Sequence, residues 1–374
     1  MASGLSSKWG ERVSKSSASY VRRAGRHPLV RLTALVGVAL LLGSCALIGS
    51  DSDLTTFEPA GPNAERIDDL FWLVFWIAAV VFALVFGAIL VIVFFFRDRG
   101  RPEAKEPRQT HGSTGLEVAW TIIPALILAG IAIPTIPAIF DLTECSEDAM
   151  EVQVVGHQWW FEYRYPDSGV TTANILVIPV GEEVCAELTS DDVLHNFWIP
   201  ALHGKRYLVP GQTTILPLEA SVTGEFWGHC AEFCGLSHSL MRARVRVVER
   251  PEFDAWVDAQ LEPATLPTEG EPGYDGLQVF LAKGCTQCHN VASEGDDALP
   301  PVPLDVFHGP DLTHFGSRNV FAGASLPEAG ETKEEALKRW LADPPNVKPG
   351  SFMPYLALTE QEIDALIVWL ESNE

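Results

Sequence analysis

The chain has 374 residues, of which 47% are hydrophobic, and its formal net charge at pH 7 is −23. This length accommodates two or three domains, and the acidic balance argues against a nucleic-acid partner, which would need a basic face. Arg and Lys are concentrated in the N-terminal part, so the remainder must be strongly acidic. Such a surface suits a partner that is basic or held by a membrane.

The N-terminus has the layout of a secretory signal. Several arginines precede the apolar run LTALVGVALLLG, which ends in Ser44 and Cys45. A basic region, a short apolar region and small residues are typical of a signal peptide. The ending Leu42-Gly43-Ser44-Cys45 resembles a bacterial lipobox, which implies removal of residues 1–44 and lipidation of Cys45. An ordinary signal peptide or an uncleaved helix is the alternative. Residues 45–66 would form an exported N-terminal segment.

Two apolar runs predict a transmembrane helical hairpin over residues 67–141. They extend from Leu70 to Phe96 and from Val118 to Phe140, and each is long enough to span a hydrocarbon core of about 30 Å as a helix. The loop between them is rich in Arg and Lys, so the positive-inside rule places it in the cytoplasm. Prolines within the second run are tolerated where neighbouring helices cover the freed backbone groups. We therefore expect the hairpin to pack against a larger membrane partner.

Glu117 lies at the cytoplasmic mouth of the second helix, in the pattern E-x-x-W-T-x-x-P. An acid at this depth could simply be solvated among the lipid head groups. Acids at the edge of a bilayer are nevertheless candidates for function, because a charge is costly there.

Residues 142–260 have a β pattern. Runs such as EVQVVG, TTILPLEA and MRARVRVV alternate apolar and polar residues between Gly and Pro. They predict a Greek-key β-barrel or sandwich, as in cupredoxins. Cys145 and Cys185 both lie in this exported region, where disulfides persist, but the position of Cys145 near the membrane leaves their pairing open.

The segment Cys230–Met241, CAEFCGLSHSLM, combines two thiols, an imidazole and a thioether. These groups favour copper, zinc or iron–sulfur over magnesium or calcium. A structural zinc site uses a closed set of four Cys and His ligands and no thioether, whereas Met is a weak axial ligand in electron-transfer copper sites. A second imidazole is needed, and His195 is the obvious donor. A structural disulfide between Cys230 and Cys234 is the alternative.

A linker over residues 261–273, rich in Pro, Gly, Thr and Glu, is predicted to be extended and mobile. Residues 274–374 then contain Cys285, Cys288 and His289 in the C-x-x-C-H signature of covalent haem attachment, although a redox-active dithiol is the alternative. The segment Ser351-Phe352-Met353-Pro354-Tyr355 resembles a distal-ligand motif, which implies Met353 as the distal iron ligand, with His308 and His314 as rivals. Ligation by His and Met raises the potential of a haem. The final helix, from about Glu360 to Leu370, has apolar residues at helical spacing.

This order of elements resembles subunit II of the bacterial haem–copper cytochrome c oxidases with a fused cytochrome c domain. The resemblance implies a multi-domain membrane protein: a two-helix transmembrane hairpin, a cupredoxin-like Greek-key β-barrel and an all-α class I cytochrome c domain. The copper pattern of that family is matched at His195, Cys230, Glu232, Cys234, Gly235, His238 and Met241.

The resemblance also assigns roles to these residues. The two cysteines would bridge both ions of a binuclear copper A centre, and each histidine would bind one ion. Met241 and the backbone carbonyl of Glu232 would be weak axial ligands, and the Glu232 side chain would reach a magnesium ion at the interface with subunit I. In the run G-H-Q-W, Trp159 would be the exposed residue that accepts electrons. Phe161 stands where the family commonly has Trp.

The implied function is electron transfer from haem c through copper A to subunit I, which reduces oxygen to water and pumps protons. Glu117 would mark a proton channel, and the loop 309–312 would hold the haem-binding imidazole. Implied partners are subunit I, subunit III and a donor from a bc-type complex or a cytochrome c. The copper and haem domains and both mature termini would lie outside the bacterial plasma membrane. A membrane-anchored carrier for a nitric or nitrous oxide reductase is the rival, and a quinol oxidase subunit would lack the copper ligands.

Overall fold

The computed structural model describes residues 54–97, 109, 111–294, 298–302 and 309–373. The predicted signal segment with Cys45, most of the basic loop between the apolar runs and the rival ligand His308 lie outside these residues. The helices and strands described below all belong to one compact unit, Thr56–Glu374.

Two long apolar helices form the predicted hairpin: α1 at Pro62–Phe95 and α2 at Thr114–Asp141. Both are long and apolar enough to cross a membrane. Arg66 near the start of α1 forms an ion pair with Asp141 at the end of α2, so the helices run antiparallel. Helix α1 begins well before the predicted apolar run because a proline opens it and its first turns are polar, and hydropathy does not detect polar turns.

The next domain consists of two five-stranded sheets that share one core. Their strand orders are β3-β2-β1-β5-β8 and β4-β10-β9-β6-β7. The strands are β1 Met150–His157, β2 Trp160–Tyr165, β3 Val170–Ala173, β4 Ile175–Pro179, β5 Val184–Ser190, β6 His195–Trp198, β7 Arg206–Leu208, β8 Thr214–Leu218, β9 Gly224–Cys230 and β10 Arg242–Val248. Strand β5 alternates buried and half-buried residues, as expected when one face of a sheet covers a core. This architecture confirms the predicted cupredoxin-like fold.

A disulfide joins Cys145, just after α2, to Cys185 in β5. It resolves the pairing that the sequence leaves open. Strand β5 is hydrogen-bonded between β1 and β8, so the bridge ties the end of the membrane hairpin to the interior of a sheet.

Helix α3, Arg250–Leu261, closes this domain: Trp256 meets the ring of Tyr165 edge-on at 5.3 Å. The linker that follows is seated on the C-terminal domain. Ala264 donates a backbone hydrogen bond to Ala292 at 2.7 Å, and Leu266 packs against the core of that domain. The sequence prediction of an extended, mobile linker missed these two contacts, because it relied on the Pro and Gly content.

The C-terminal domain is helical, as predicted for a cytochrome c. Its helices are α4 Tyr274–Ala282, α5 Lys333–Ala342, the short α6 Pro344–Val347 and α7 Glu360–Glu371. Capping boxes start both α5 and α7, since Thr and Glu satisfy backbone donors that lack helical partners. The apolar residues predicted on the last helix are buried, and Trp369 joins them at 4.5 Å from Phe280.

Candidate metal and haem sites

The side chains expected to bind copper come together where β6, β9 and the following loop meet. His195 begins β6 and Cys230 ends β9, and the Cys230 Sγ lies 3.9 Å from the His195 Nδ1. Cys234 in the loop places its Sγ 3.7 Å from that of Cys230. The ligand atoms of these three buried residues lie within 4.8 Å of one another, as in a metal site.

The remaining expected ligands complete the cluster from the other side. The Cys234 Sγ lies 3.5 Å from the Nδ1 of His238 and 3.9 Å from the Sδ of Met241. The backbone carbonyl of Glu232 lies 3.2 Å from the Cys230 Sγ. Two thiols, two imidazoles, a thioether and a carbonyl therefore surround one small volume, and this donor set fits copper in an electron-transfer site.

The two thiols differ in their acidity. Their mutual hydrogen bond lowers the pKa of Cys230 to about 3, although burial opposes that shift, and it raises the pKa of Cys234. The thiolate is the form that binds metal, so Cys230 is prepared for a cation at neutral pH. Binding at Cys234 would displace its proton.

Asp192 is a site residue that the motif does not reveal. Its Oδ1 accepts a hydrogen bond from the Nε2 of His195 at 2.8 Å. Burial alone would lower the pKa of His195, but the hydrogen bonds and charges of Asp192 and Cys230 together outweigh it and the pKa is raised. A carboxylate on the far nitrogen of a metal-binding imidazole orients the ring and fixes its tautomer. The spacing D-x-x-H is the sequence signal that could have pointed to Asp192.

A cavity of about 300 Å³ in the C-terminal domain is lined by Cys285, Cys288, His289 and Met353. The His289 Nδ1 donates to the carbonyl of Pro310 at 2.7 Å, which matches the expectation that the loop 309–312 holds this imidazole. A Cβ at Gly309 would lie 2.5 Å from the ring, so the close contact requires glycine.

The cavity fits a haem. Its wall includes Arg318, a buried guanidinium whose Nε has no hydrogen-bond partner and whose pKa is lowered by burial. A buried cation of this kind suits a carboxylate group of a ligand. The rival ligand His314 is absent from the cavity wall, and its Nε2 lies 3.1 Å from the carbonyl of Gln260.

Trp159 lies between the two sites. Its indole Nε1 donates to the backbone carbonyl of Cys234 at 2.9 Å, and its ring stacks near Phe352 with centroids 6.5 Å apart. Trp159 also forms part of the wall of the haem cavity. The resemblance implies an exposed Trp, but Trp159 is only 5% exposed. The reason is that the C-terminal domain covers it. Phe161 is fully buried and packs in the β core.

The remaining expected residues lie outside these two clusters. Glu117 is exposed in the first turn of α2, at the end of the helix that adjoins the loop between the membrane helices. The side chain of Glu232 interacts with Tyr207, whose hydrogen bond to it raises the pKa of that phenol.

These features define a membrane-anchored electron-transfer protein with a copper-type cluster in a β domain and a haem-type cavity in a helical one. Protein-family models match the chain in the same order: the transmembrane domain of cytochrome c oxidase subunit II at residues 50–138, its periplasmic domain at 168–248 and cytochrome c at 274–374.

Full-length relatives agree with these matches. The chain is 38% identical over 349 residues to cytochrome c oxidase subunit 2 of Alkalihalophilus pseudofirmus, with 91% of this chain and 96% of the relative covered. It is 36% identical over 363 residues to the protein of that name from a Bacillus species, with 91% and 97% covered. Quinol oxidase subunit 2 of Bacillus cereus is 31% identical over 261 residues, which cover 67% of this chain and 89% of that protein.

The chain belongs to the cytochrome c oxidase subunit II family and carries a C-terminal cytochrome c domain. Membership implies electron transfer in an oxidase, copper A, a haem and association with subunit I.

Proposed function

We propose that this chain receives electrons at a haem c and passes them through binuclear copper A to the haem–copper centre of subunit I. Oxygen is reduced to water there, and protons are pumped. A haem bound to Cys285 and Cys288 supplies one-electron chemistry. His289 and Met353 would hold its iron, and Arg318 would offer its buried guanidinium to a haem carboxylate.

The observation that carries the proposal is the buried position of Trp159. One side of its ring faces the haem cavity and Phe352, and its Nε1 is hydrogen-bonded to the copper-site residue Cys234. With 5% of its surface exposed, Trp159 offers little area to a soluble donor. The C-terminal domain thus occupies the place where an external cytochrome would dock, and it acts as the internal donor to copper A.

At the copper site, the two ions would be held by the thiolates of Cys230 and Cys234, the imidazoles of His195 and His238 and, more weakly, by Met241 and the Glu232 carbonyl. Asp192 holds the imidazole of His195 in place. The Glu232 carboxylate shares a magnesium ion with subunit I.

Glu117 is the entrance for protons taken up from the cytoplasm. The basic loop keeps the end of the helix with Glu117 inside, so the copper and haem domains face outward. Residues 1–44 are a lipoprotein signal, residues 45–66 an exported segment and Cys45 the lipidated first residue of the mature chain. Subunit III completes the complex, and a bc-type complex or a cytochrome c supplies electrons. The relatives named as oxidase subunits favour this assignment over a carrier for a nitric or nitrous oxide reductase.

Truncation before Tyr274 tests the proposal. The intact complex should oxidise ascorbate with a small mediator without added cytochrome c, and the truncated complex should lose this activity while retaining its copper spectrum. Because truncation uncovers Trp159, an added soluble cytochrome c should restore turnover in the truncated complex. If the truncated complex turns over as fast as the intact one without any cytochrome, the C-terminal domain is not the internal donor.

A further inference from the structure

Lys348 is a buried lysine at the contact between the copper and cytochrome domains. It follows α6, is 4% exposed and precedes Met353 by one short loop. Its Nζ donates to the backbone carbonyl of Trp159 at 2.5 Å and to that of Ala322 at 2.7 Å. One ammonium group therefore joins a carbonyl of the copper domain to a carbonyl of the cytochrome domain.

The surroundings of this ammonium are shaped to hold it. Gly323 has a φ of +75°, and a Cβ there would clash with both the Trp159 carbonyl oxygen and the Lys348 Nζ. Burial lowers the pKa of Lys348 to about 7, and the nearby Cys234 opposes this shift. Burying a cation against neutral carbonyls is costly. We therefore expect the buried amino group of Lys348 to have a structural role, unlike a lysine on the surface.

Backbone contacts around Lys348 also cross between the domains. The Arg242 N–H donates to the Gly323 carbonyl at 2.8 Å, and the Gly323 N–H donates to the Asn174 Oδ1 at 3.0 Å. On the other side, the Ser237 hydroxyl donates to the Pro349 carbonyl at 2.6 Å. Lys348 lies among these contacts, on the chain segment that leads to Phe352 and Met353.

We propose that Lys348 is a positioning residue that holds the cytochrome domain against Trp159 and so sets the rate of electron transfer between haem and copper. The proposal rests on the proposed function, in which Trp159 connects the two sites. Lys348 holds the Trp159 backbone through its carbonyl, while Gly350 and Phe352 lie close to the Trp159 ring. Loss of the ammonium removes the donor that Lys348 offers to the Trp159 carbonyl, whereas the Ala322 carbonyl keeps the Ser325 hydroxyl at 2.7 Å. The bond that is lost is the one that crosses between the domains, and this favours their separation.

Two variants test this role independently in the intact, cofactor-loaded oxidase complex. Lys348→Met removes the ammonium and retains the apolar stem. Gly323→Ala retains the lysine but places a methyl group between it and Trp159. In both variants we expect flash-induced transfer from haem to copper to slow by about tenfold, the size expected when a buried carbonyl loses its hydrogen bond. Hydrogen exchange of peptides containing Arg242 should accelerate, because its N–H bonds across the interface.

Matched controls separate this effect from general damage. Lys338→Met removes an exposed lysine that pairs with Asp364 within the cytochrome domain. Gly330→Ala alters a glycine with a φ of +85°, where an added methyl group would meet no atom within 4 Å. Neither control should change transfer rate or exchange, and all four proteins should keep their haem and copper spectra and the haem potential.

Transfer rates and Arg242 exchange that match the controls in both Lys348→Met and Gly323→Ala would overturn the proposal, and Lys348 would then only fill space. That result would leave the proposed function intact, provided that the spectra of both centres are present. Failure of the proposed function would appear differently, as wild-type protein without a haem or copper signal or without any transfer between them. If Lys348→Met does not assemble, Gly323→Ala decides the question alone.

Discussion

The indole of Trp159 donates a hydrogen bond of 2.9 Å to the backbone carbonyl of Cys234. The bond crosses from the start of β2 to the loop that carries the expected copper ligands, while the same ring faces the haem cavity. A single side chain is therefore in contact with both candidate sites.

Substitutions of Trp159 should slow electron transfer while both centres stay in place. Trp159→Phe keeps an aromatic ring but loses the bond to Cys234, which is worth about 1 kcal/mol. Trp159→Ala loses the ring as well and should have the larger effect. Flash-induced transfer from haem to copper measures the rate, and Trp256→Phe, on the far side of the β domain core, is the control. Wild-type rates in Trp159→Ala would reduce this residue to a packing role.

Copper binding should depend on the thiols. Cys234→Ser replaces a soft ligand with a hard one, so the near-infrared and multiline paramagnetic signals of the mixed-valence pair should disappear. Met241→Leu removes only a weak axial donor and should shift the potential while retaining the pair. A double change of Cys145 and Cys185 to Ser removes sulfur outside the cluster and should leave the copper signals unchanged. Retention of the signals in Cys234→Ser would refute the assignment.

Glu117 should affect proton uptake but not electron transfer within this chain. Glu117→Gln should slow turnover of the complex, because an acid needed for proton uptake is replaced by an amide of similar size. The haem-to-copper rate should stay at its wild-type value, since Glu117 is at the opposite end of α2 from the two sites. Glu65→Gln, an exposed acid in the first turn of α1, is the control. Normal turnover would leave Glu117 as a solvated surface residue.

Acid should destabilise the chain through His203. Burial lowers the pKa of His203 to about 4, whereas an unfolded histidine titrates near 6.5. Between these values the unfolded state binds more protons, so stability is complete above pH 6.5 and is lost as pH falls towards 4. The loss attributable to His203 reaches about 3 kcal/mol. Thermal unfolding of the full chain in detergent at pH 7 and pH 5 measures this effect.

The variant His203→Gln should flatten that pH dependence, because the amide does not titrate in this range. His111→Gln, at an exposed histidine of the same chain, should retain the wild-type dependence. Equal slopes in wild type and His203→Gln would show that other groups cause the acid sensitivity.

The sequence predicts the parts of this molecule that depend on local spacing. The interval between Cys230 and Met241 predicts a metal cluster, and C-x-x-C-H predicts a haem site. The length of the apolar runs predicts the membrane helices, and helical periodicity predicts α7. Lys348 escapes such reasoning because its partner lies far away in the chain: it meets Trp159 only after two domains pack together. Asp192 is only three residues from His195, but the spacing alone does not show that its carboxylate reaches the imidazole. The burial of Trp159 is hidden for the same reason, since exposure is a property of the assembled chain.

The contacts between the linker and the C-terminal domain affect how electrons reach the haem. With Ala264 hydrogen-bonded to Ala292 and Leu266 packed on the cytochrome core, little slack remains after α3. A long flexible linker would let the cytochrome domain move between an electron donor and the copper site. A short linker instead keeps the haem domain in a fixed position against the copper domain. Under the proposed function, an upstream donor must therefore come to the cytochrome domain, and the rate of turnover would depend on how often it does so.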